Sequence, residues 1–176
     1  ALLTLADFHG KTVVDVGTGA GFPGMPLRLV DPTIRLTLLD SLNKRIQFLE
    51  TVCRELDLPD VACVHARAEE FARQHREQFD IAASRAVAQL NVLCELALPL
   101  VKVGGQFLAM KSVDTDDEIQ RARSAIAQLG GRIGKIWDYT IPGTEVRHRV
   151  VIIRKERPTP AAYPRPFARI KKAPLG

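Results

Sequence analysis

Apolar positions along this 176-residue chain follow two alternating rhythms. Short runs rich in valine, isoleucine and leucine are bounded by glycine, proline or acids. Between them lie longer stretches whose apolar residues recur three and four apart. Val13–Val16 predicts a first strand, Leu36–Asp40 a second, Val61–His65 a third, Phe79–Ser84 a fourth and Gly105–Met110 a fifth. Between strands two and three, Leu42–Leu58 carries Ile46, Leu49, Val52, Cys53 and Leu56 on one stripe, which predicts a helix packed on a sheet. Ala68–His75 and Leu90–Val101 predict further helices. After Met110, the acids Asp114, Asp116, Asp117 and Glu118 suit a helix N-terminus, with Thr115 and Glu118 spaced for a capping box; that helix fades at Gly130-Gly131. Arg132–Ile141 and Glu145–Arg154 predict two final strands joined by Pro142-Gly143, and with no helix between them they should pair antiparallel. The pattern is α/β: a Rossmann-like, seven-stranded sheet with helices on both faces and its last strand antiparallel.

Composition narrows the class. A hydrophobic content of 46% with 26% charged residues fits one globular, soluble domain and disfavours a disordered chain. No apolar run reaches the roughly 18 residues of a membrane span, and no signal peptide opens the sequence. Cys53, Cys63 and Cys94 are odd in number and lack CxxC spacing, so they are expected to be small buried groups in a reducing cytoplasm. His9, His65, His75 and His148 are scattered, and no metal is expected.

The net charge of +5 is uneven. From Arg154 onward there are seven basic residues against Glu156 alone, so this end carries +6 and the rest of the chain −1. Pro158, Pro160, Pro164, Pro166 and Pro174 predict an extended arm rather than a helix. A basic extended arm on a neutral body suits a phosphate backbone, and Tyr163 and Phe167 among the arginines suit stacking on RNA bases. The expected organisation is therefore a domain over residues 1–156 and a basic, proline-rich tail over 157–176.

The chemistry concentrates in Val13-Val14-Asp15-Val16-Gly17-Thr18-Gly19-Ala20-Gly21-Phe22-Pro23-Gly24. A strand running into alternating glycines and then a helix is a cradle for a nucleotide-like ligand, with Pro23 suited to the helix's first turn. The dinucleotide fingerprint fails in the frame that opens from the strand, because Phe22 takes the third glycine position. It fits only if shifted to Gly19, Gly21 and Gly24. Asp15-x-Gly17-x-Gly19-x-Gly21 instead resembles the first motif of class I S-adenosylmethionine-dependent methyltransferases. An acid beside the loop repels a pyrophosphate and favours an ammonium and a sulfonium. Asp40 ends the second strand 23 residues after Gly17, where one carboxylate can hold both ribose hydroxyls, while Ser41 should cap the next helix. Backbone groups of Ala68 and Glu69 are placed to read an adenine edge, or simply to begin an acidic helix.

The acceptor side is read from the ends of strands four and five. Many amino-group methyltransferases carry Asn/Asp-Pro-Pro-Tyr after strand four, and carbon-5 pyrimidine enzymes carry Pro-Cys. Ser84-Arg85-Ala86 disfavours both. Arg85 and the Lys111 of Met110-Lys111-Ser112 put two cations, and no candidate base, at one sheet edge. Such a pair suits an acceptor with no proton to lose. Guanine N7 is one, flanked by an O6 to which Arg or Lys can donate. Transfer is then an in-line displacement catalysed mainly by alignment.

In order along residues 11 to 176, these motifs, with Leu38-Leu39-Asp40-Ser41, Ala68-Glu69-Glu70-Phe71 and Arg147-His148, resemble the bacterial 16S rRNA guanine-N7 methyltransferase G family, also called glucose-inhibited division protein B. The resemblance implies a class I methyltransferase sheet, S-adenosylmethionine as donor and S-adenosylhomocysteine as product. It implies a target guanine in the decoding-region loop of 16S rRNA or the small ribosomal subunit. Gly17, Phe22, Ala68, Glu69 and Arg85 then line the cofactor site, joined by Asp15, Gly19, Gly21 and Asp40. Arg85 and Lys111 serve catalysis, and Lys111, Arg147, Arg165, Arg169, Lys171 and Lys172 face the RNA. A cytoplasmic monomer, with no membrane or dedicated protein partner, is expected. The family's helical segment ahead of the first strand is expected to be absent, since the sequence opens at Ala1. Two other readings stay open: an NAD-type oxidoreductase using the shifted glycine frame, and a non-catalytic RNA-binding module using the basic tail.

Overall fold

The computed structural model describes residues 1–85 and 88–176, so Ala86 of the Ser84-Arg85-Ala86 motif lies outside the described residues. Seven strands form one sheet: β1 (Thr12–Val16), β2 (Arg35–Asp40), β3 (Ala62–His65), β4 (Phe79–Ser84), β5 (Val101–Ser112), β6 (Gly131–Thr140) and β7 (Arg147–Lys155). Their order is β3-β2-β1-β4-β5-β7-β6, parallel as far as β5, with β7 antiparallel to both β5 and β6. The chain reverses direction in the sheet between β1 and β4, and ligands of open α/β sheets bind beyond the carboxyl ends of the strands at such a switch.

Among the described residues, six α-helices cover the sheet: α1 (Gly24–Val30), α2 (Asn43–Glu55), α3 (Ala68–Gln74), α4 (Leu90–Ala97), α5 (Asp116–Gln128) and α6 (Phe167–Lys172). Alternation along the strands builds two cores. Val14, Ala82, Phe107 and Val151 face a cluster with Phe71, Leu93, Ile119 and Ile126, from α3, α4 and α5. Val13, Ile81, Leu108 and Val150 face another with Leu2, Phe8, Leu27 and Leu49, from the N-terminal turn, α1 and α2.

Several boundaries differ from expectation for local reasons. The helix expected to run to Val101 stops at Ala97, and Leu98–Leu100 is a 3-10 turn around Pro99, whose ring cannot continue an α-helix. β5 begins earlier, at Val101, because Phe79 pairs with it before the register shifts opposite Asp80. Thr115 makes no side-chain cap of α5; its hydroxyl donates to the Ser112 carbonyl, so the expected capping box does not form. The cysteines are free thiols, with Cys53 Sγ 3.8 Å from Cys63 Sγ and burial pushing Cys63 up to about 12.

The largest correction is at the C-terminus. Residues 157–176 are not an extended arm but a strap folded against the body, ending in α6 with Ile170 fully buried. Lys155 is also buried. Its ammonium donates to the Leu98 and Val101 carbonyls and to Thr159 Oγ1, and pairs with Glu77; burial pulls it below the usual lysine range. The Arg76 guanidinium donates to the Thr159, Pro160 and Tyr163 carbonyls. Arg165 reaches the fully buried Glu95 of α4, donating from its backbone N–H at 3.0 Å, Nε at 2.8 Å and Nη2 at 2.7 Å. Arg165 is thus removed from the RNA-facing set, because its guanidinium neutralises an interior carboxylate. Tyr163, expected to stack on bases, packs against the first core and accepts a hydrogen bond from Gln128.

Arg165→Ala should destabilise the fold by about 3–5 kcal/mol, because it strands the Glu95 charge. Arg169→Ala, on the exposed face of α6, should cost less than about 0.5 kcal/mol. Urea-unfolding midpoints of the two variants check this.

Candidate active site

The glycine loop takes its shape from two carboxylates. Asp15 Oδ2, at the end of β1, accepts from Thr18 Oγ1 at 2.7 Å and from the Gly24 N–H at 2.9 Å, so one oxygen joins the start of the loop to the start of α1. Asp40 Oδ2, at the end of β2, accepts from the Gly19 N–H at 3.0 Å. The Gly17 and Thr18 N–H groups donate to the Leu39 carbonyl. Glycine is required where the loop turns under itself. Gly21 has φ +97°, and a Cβ there would lie 2.8 Å from Met25 Cγ and 2.9 Å from Leu49 Cδ2. At Gly24 a Cβ would lie 2.7 Å from Leu38 Cδ2, which brings α1 hard onto the sheet. Pro23 sits at the N-cap of α1 rather than inside its first turn.

Gly17, Gly19, Phe22, Asp40, Ala68, Glu69 and Arg85 line a single cleft of about 1120 Å³ over the carboxyl ends of β1 and β2. Asp15 and Gly21 do not; both are buried. Asp15 is therefore corrected from a ligand-facing acid to a brace, completely buried, with Oδ1 unpartnered. Burial pushes its carboxyl up to about 6, against the hydrogen bonds from Thr18 and Gly24. Asp40, only 3% exposed, also accepts the Leu42 N–H at Oδ1, and α2 starts without a side-chain cap, so the cap expected of Ser41 does not form. Each carboxylate oxygen keeps acceptor capacity beyond these bonds. Glu69 is buried, and its Oε1 accepts from Arg67 Nε at 3.2 Å.

Arg85 and Phe22 form the boundary of the cleft. The Arg85 guanidinium lies over the exposed Phe22 ring, 5.1 Å from its centroid, and both residues also line a smaller groove of about 360 Å³ beside Pro23 and Met110. Lys111 does not join them. Its Nζ lies 2.7 Å from Glu118 Oε1 and 2.8 Å from the Ala88 carbonyl, and its side chain is buried. Glu118 also accepts the Leu90 N–H, at the start of α4. Lys111 is thereby corrected from a cation facing the acceptor to one that joins Ala88 to Glu118 of α5.

Arg147 is exposed at the start of β7, where the antiparallel register places His148 opposite Ser112, on the same sheet edge as Arg85. Arg169, Lys171 and Lys172 are exposed on α6. Sequence reasoning missed Phe167 as a lining residue of the cleft and missed the stacked pair Trp137–Tyr139, with Tyr139 5.8 Å from His148. The alternation of aromatics at 137 and 139 was a readable signal for the second; nothing in local sequence signals the first. Among the described residues, no group of three His, Cys, Asp or Glu side chains could hold a metal ion, and no helix is long and apolar enough to cross a membrane.

A family model described as rRNA small subunit methyltransferase G matches residues 1–139. The chain belongs to this family. It is 49% identical over 166 residues to the ribosomal RNA small subunit methyltransferase G of Alkaliphilus metalliredigens, covering 93% of this chain and 70% of that one. A Clostridium botulinum protein of the same name is 49% identical over 169 residues, covering 95% and 71%. Among solved structures, TrmN from Thermus thermophilus superposes with a TM-score of 0.69 at 22% identity, over 88% of this chain and 47% of that one. TYW2 of M. jannaschii, solved in complex with AdoMet, gives 0.68 at 13% identity, over 86% and 71%. These structures share the class I methyltransferase fold, and family membership makes the chain a methyltransferase.

The raised Asp15 pKa carries a sign. The folded protein keeps this proton between about 3.8 and about 6, where the unfolded chain has lost it, so this group lowers stability as pH rises through that window. The full penalty, reached above about pH 6, is about 3 kcal/mol. Asp15→Asn should gain that much on the wild type between about pH 4 and about pH 7. Unfolding midpoints of both proteins at the two pH values check it.

Proposed function

We propose that this chain transfers a methyl group from S-adenosylmethionine to N7 of a guanine in 16S rRNA, in the decoding-region loop, by direct in-line displacement. The observation that carries the donor assignment is the engagement of the loop amides. Gly24, the third glycine of the shifted dinucleotide frame, already donates its N–H to Asp15, and Gly19 donates to Asp40. A pyrophosphate needs those amides free and a helix N-terminus without a carboxylate beside it. That disfavours the NAD-type reading. The family description and the names of the relatives point to the small-subunit RNA as substrate.

When bound, the donor supplies an electrophilic methyl group on a sulfonium, and S-adenosylhomocysteine is the product. The residues present fit it. Asp40 stands in the cleft with acceptor capacity for a ribose diol, and the backbone of Ala68 and Glu69 lines the same cleft for an adenine edge. Gly17 and Gly19 let the main chain run alongside the ligand. Arg85, at the boundary with the smaller groove, donates to guanine O6 and turns N7 toward the cleft. Lys111 acts through Ala88 and Glu118, joining the approach to α4 to the first turn of α5. Guanine N7 has no proton to remove, so alignment and exclusion of water suffice, without a base or a metal. Arg147, Arg169, Lys171 and Lys172 contact the RNA backbone. The substrate places the enzyme in the cytoplasm, where it works as a monomer.

The test is incubation with methyl-labelled S-adenosylmethionine and unmodified small ribosomal subunits, followed by N7-specific strand cleavage. One labelled guanine in the decoding-region loop is the expected result. Label at another base or atom overturns the target, and absence of donor binding overturns the cofactor. Arg85→Ala should lower the methylation rate by about a hundredfold without loss of fold, since one oriented donor at the reacting edge is worth about that much. Lys111→Met should also lower the unfolding free energy, by about 1–3 kcal/mol, because Glu118, its side chain only 12% exposed, loses its cation.

A further inference from the structure

The strap contributes a side chain to the cleft that no motif announces. Phe167, the first residue of α6, lines it together with Ala68 and Glu69 of α3 and Val92 and Leu96 of α4. The ring is half-buried and belongs to neither hydrophobic core, so filling the interior does not explain its place. The Arg67 guanidinium, which also lines the cleft, lies over the ring 4.3 Å from its centroid. A flat aromatic ring and a flat guanidinium beside free backbone groups are the components with which proteins stack on a purine.

Phe167 is also held in place from both sides. Two residues earlier, Arg165 makes three hydrogen bonds to the buried Glu95 of α4, the helix that offers Val92 and Leu96 to the cleft. Three residues later, Ile170 is fully buried, and further on the Leu175 carbonyl accepts from Asn91 Nδ2, again on α4. The strap is thus anchored to the same helix before and after the aromatic residue.

We infer that Phe167 is a donor-binding residue: its ring forms a wall at the adenine end of the cleft and stacks on the purine of the methyl donor, and the strap holds it there. This rests on the reading of the cleft as the S-adenosylmethionine site.

The experiment is calorimetric titration of the full chain with S-adenosylhomocysteine for the wild type and for Phe167→Ala, Phe167→Leu and Phe167→Tyr. Loss of a base stack weakens binding by about tenfold, so Phe167→Ala should raise Kd by about that factor. Phe167→Leu, which keeps apolar bulk without a ring, should stay as weak, and Phe167→Tyr should return to within about twofold of the wild type. In methylation assays the KM for S-adenosylmethionine should rise with Kd while the rate at saturating donor is retained. Wild-type affinity in Phe167→Ala, or full recovery by Phe167→Leu, overturns the inference and leaves the donor assignment standing. A wild-type protein that does not bind S-adenosylhomocysteine overturns the donor assignment, and this inference with it.

Discussion

Everything that the cleft can do depends on one buried oxygen. Asp15 Oδ2 ties Thr18 to Gly24 across the glycine loop, and with Asp40 it determines which way the loop amides point. The Gly19 and Gly24 amides are therefore turned inward onto carboxylates, where a dinucleotide loop keeps its N–H groups for phosphate. The same brace places Phe22, the residue after Gly21, at the lip where it meets Arg85. Burying a carboxylate here opposes folding, as its raised pKa records. The retained cost is consistent with a site in which geometry matters more than local stability.

The sheet was legible because strand and helix periodicities differ and because glycine and proline punctuate the chain. Strand four was read to its limits, Phe79–Ser84, and the antiparallel final pair followed from the absence of a helix between its strands. That Gly17, Gly19, Phe22, Asp40, Ala68, Glu69 and Arg85 come together around one cleft was legible, since topology brings the strand ends together. What local pattern could not give was the partner of each charge. Lys111 reads as a free cation until Glu118, seven positions on and across a turn, is seen against it.

The C-terminus shows the same limit more sharply. Proline and arginine content implied an extended polycation, and counting charge along a line supported it. In three dimensions Lys155 and Arg165 answer Glu77 and Glu95, residues separated from them by 78 and 70 positions. Net charge over a window measures an excess at a surface only when its members remain at the surface. Once these two are withdrawn, five exposed cations remain of the seven, Arg154 and Arg157 before the strap's turn and Arg169, Lys171 and Lys172 on α6, instead of one long arm.

The anchoring of Glu95 also bears on how the chain comes into being. The carboxylate of α4 is completely buried, yet the guanidinium that neutralises it stands 70 positions further along the chain. A chain emerging from a ribosome folds its earlier parts first. On that schedule α4 waits, its acid solvated or protonated, until Arg165 has emerged. The centre of the domain is therefore locked by residues made well after it, and its interior closes later than the order of its elements suggests.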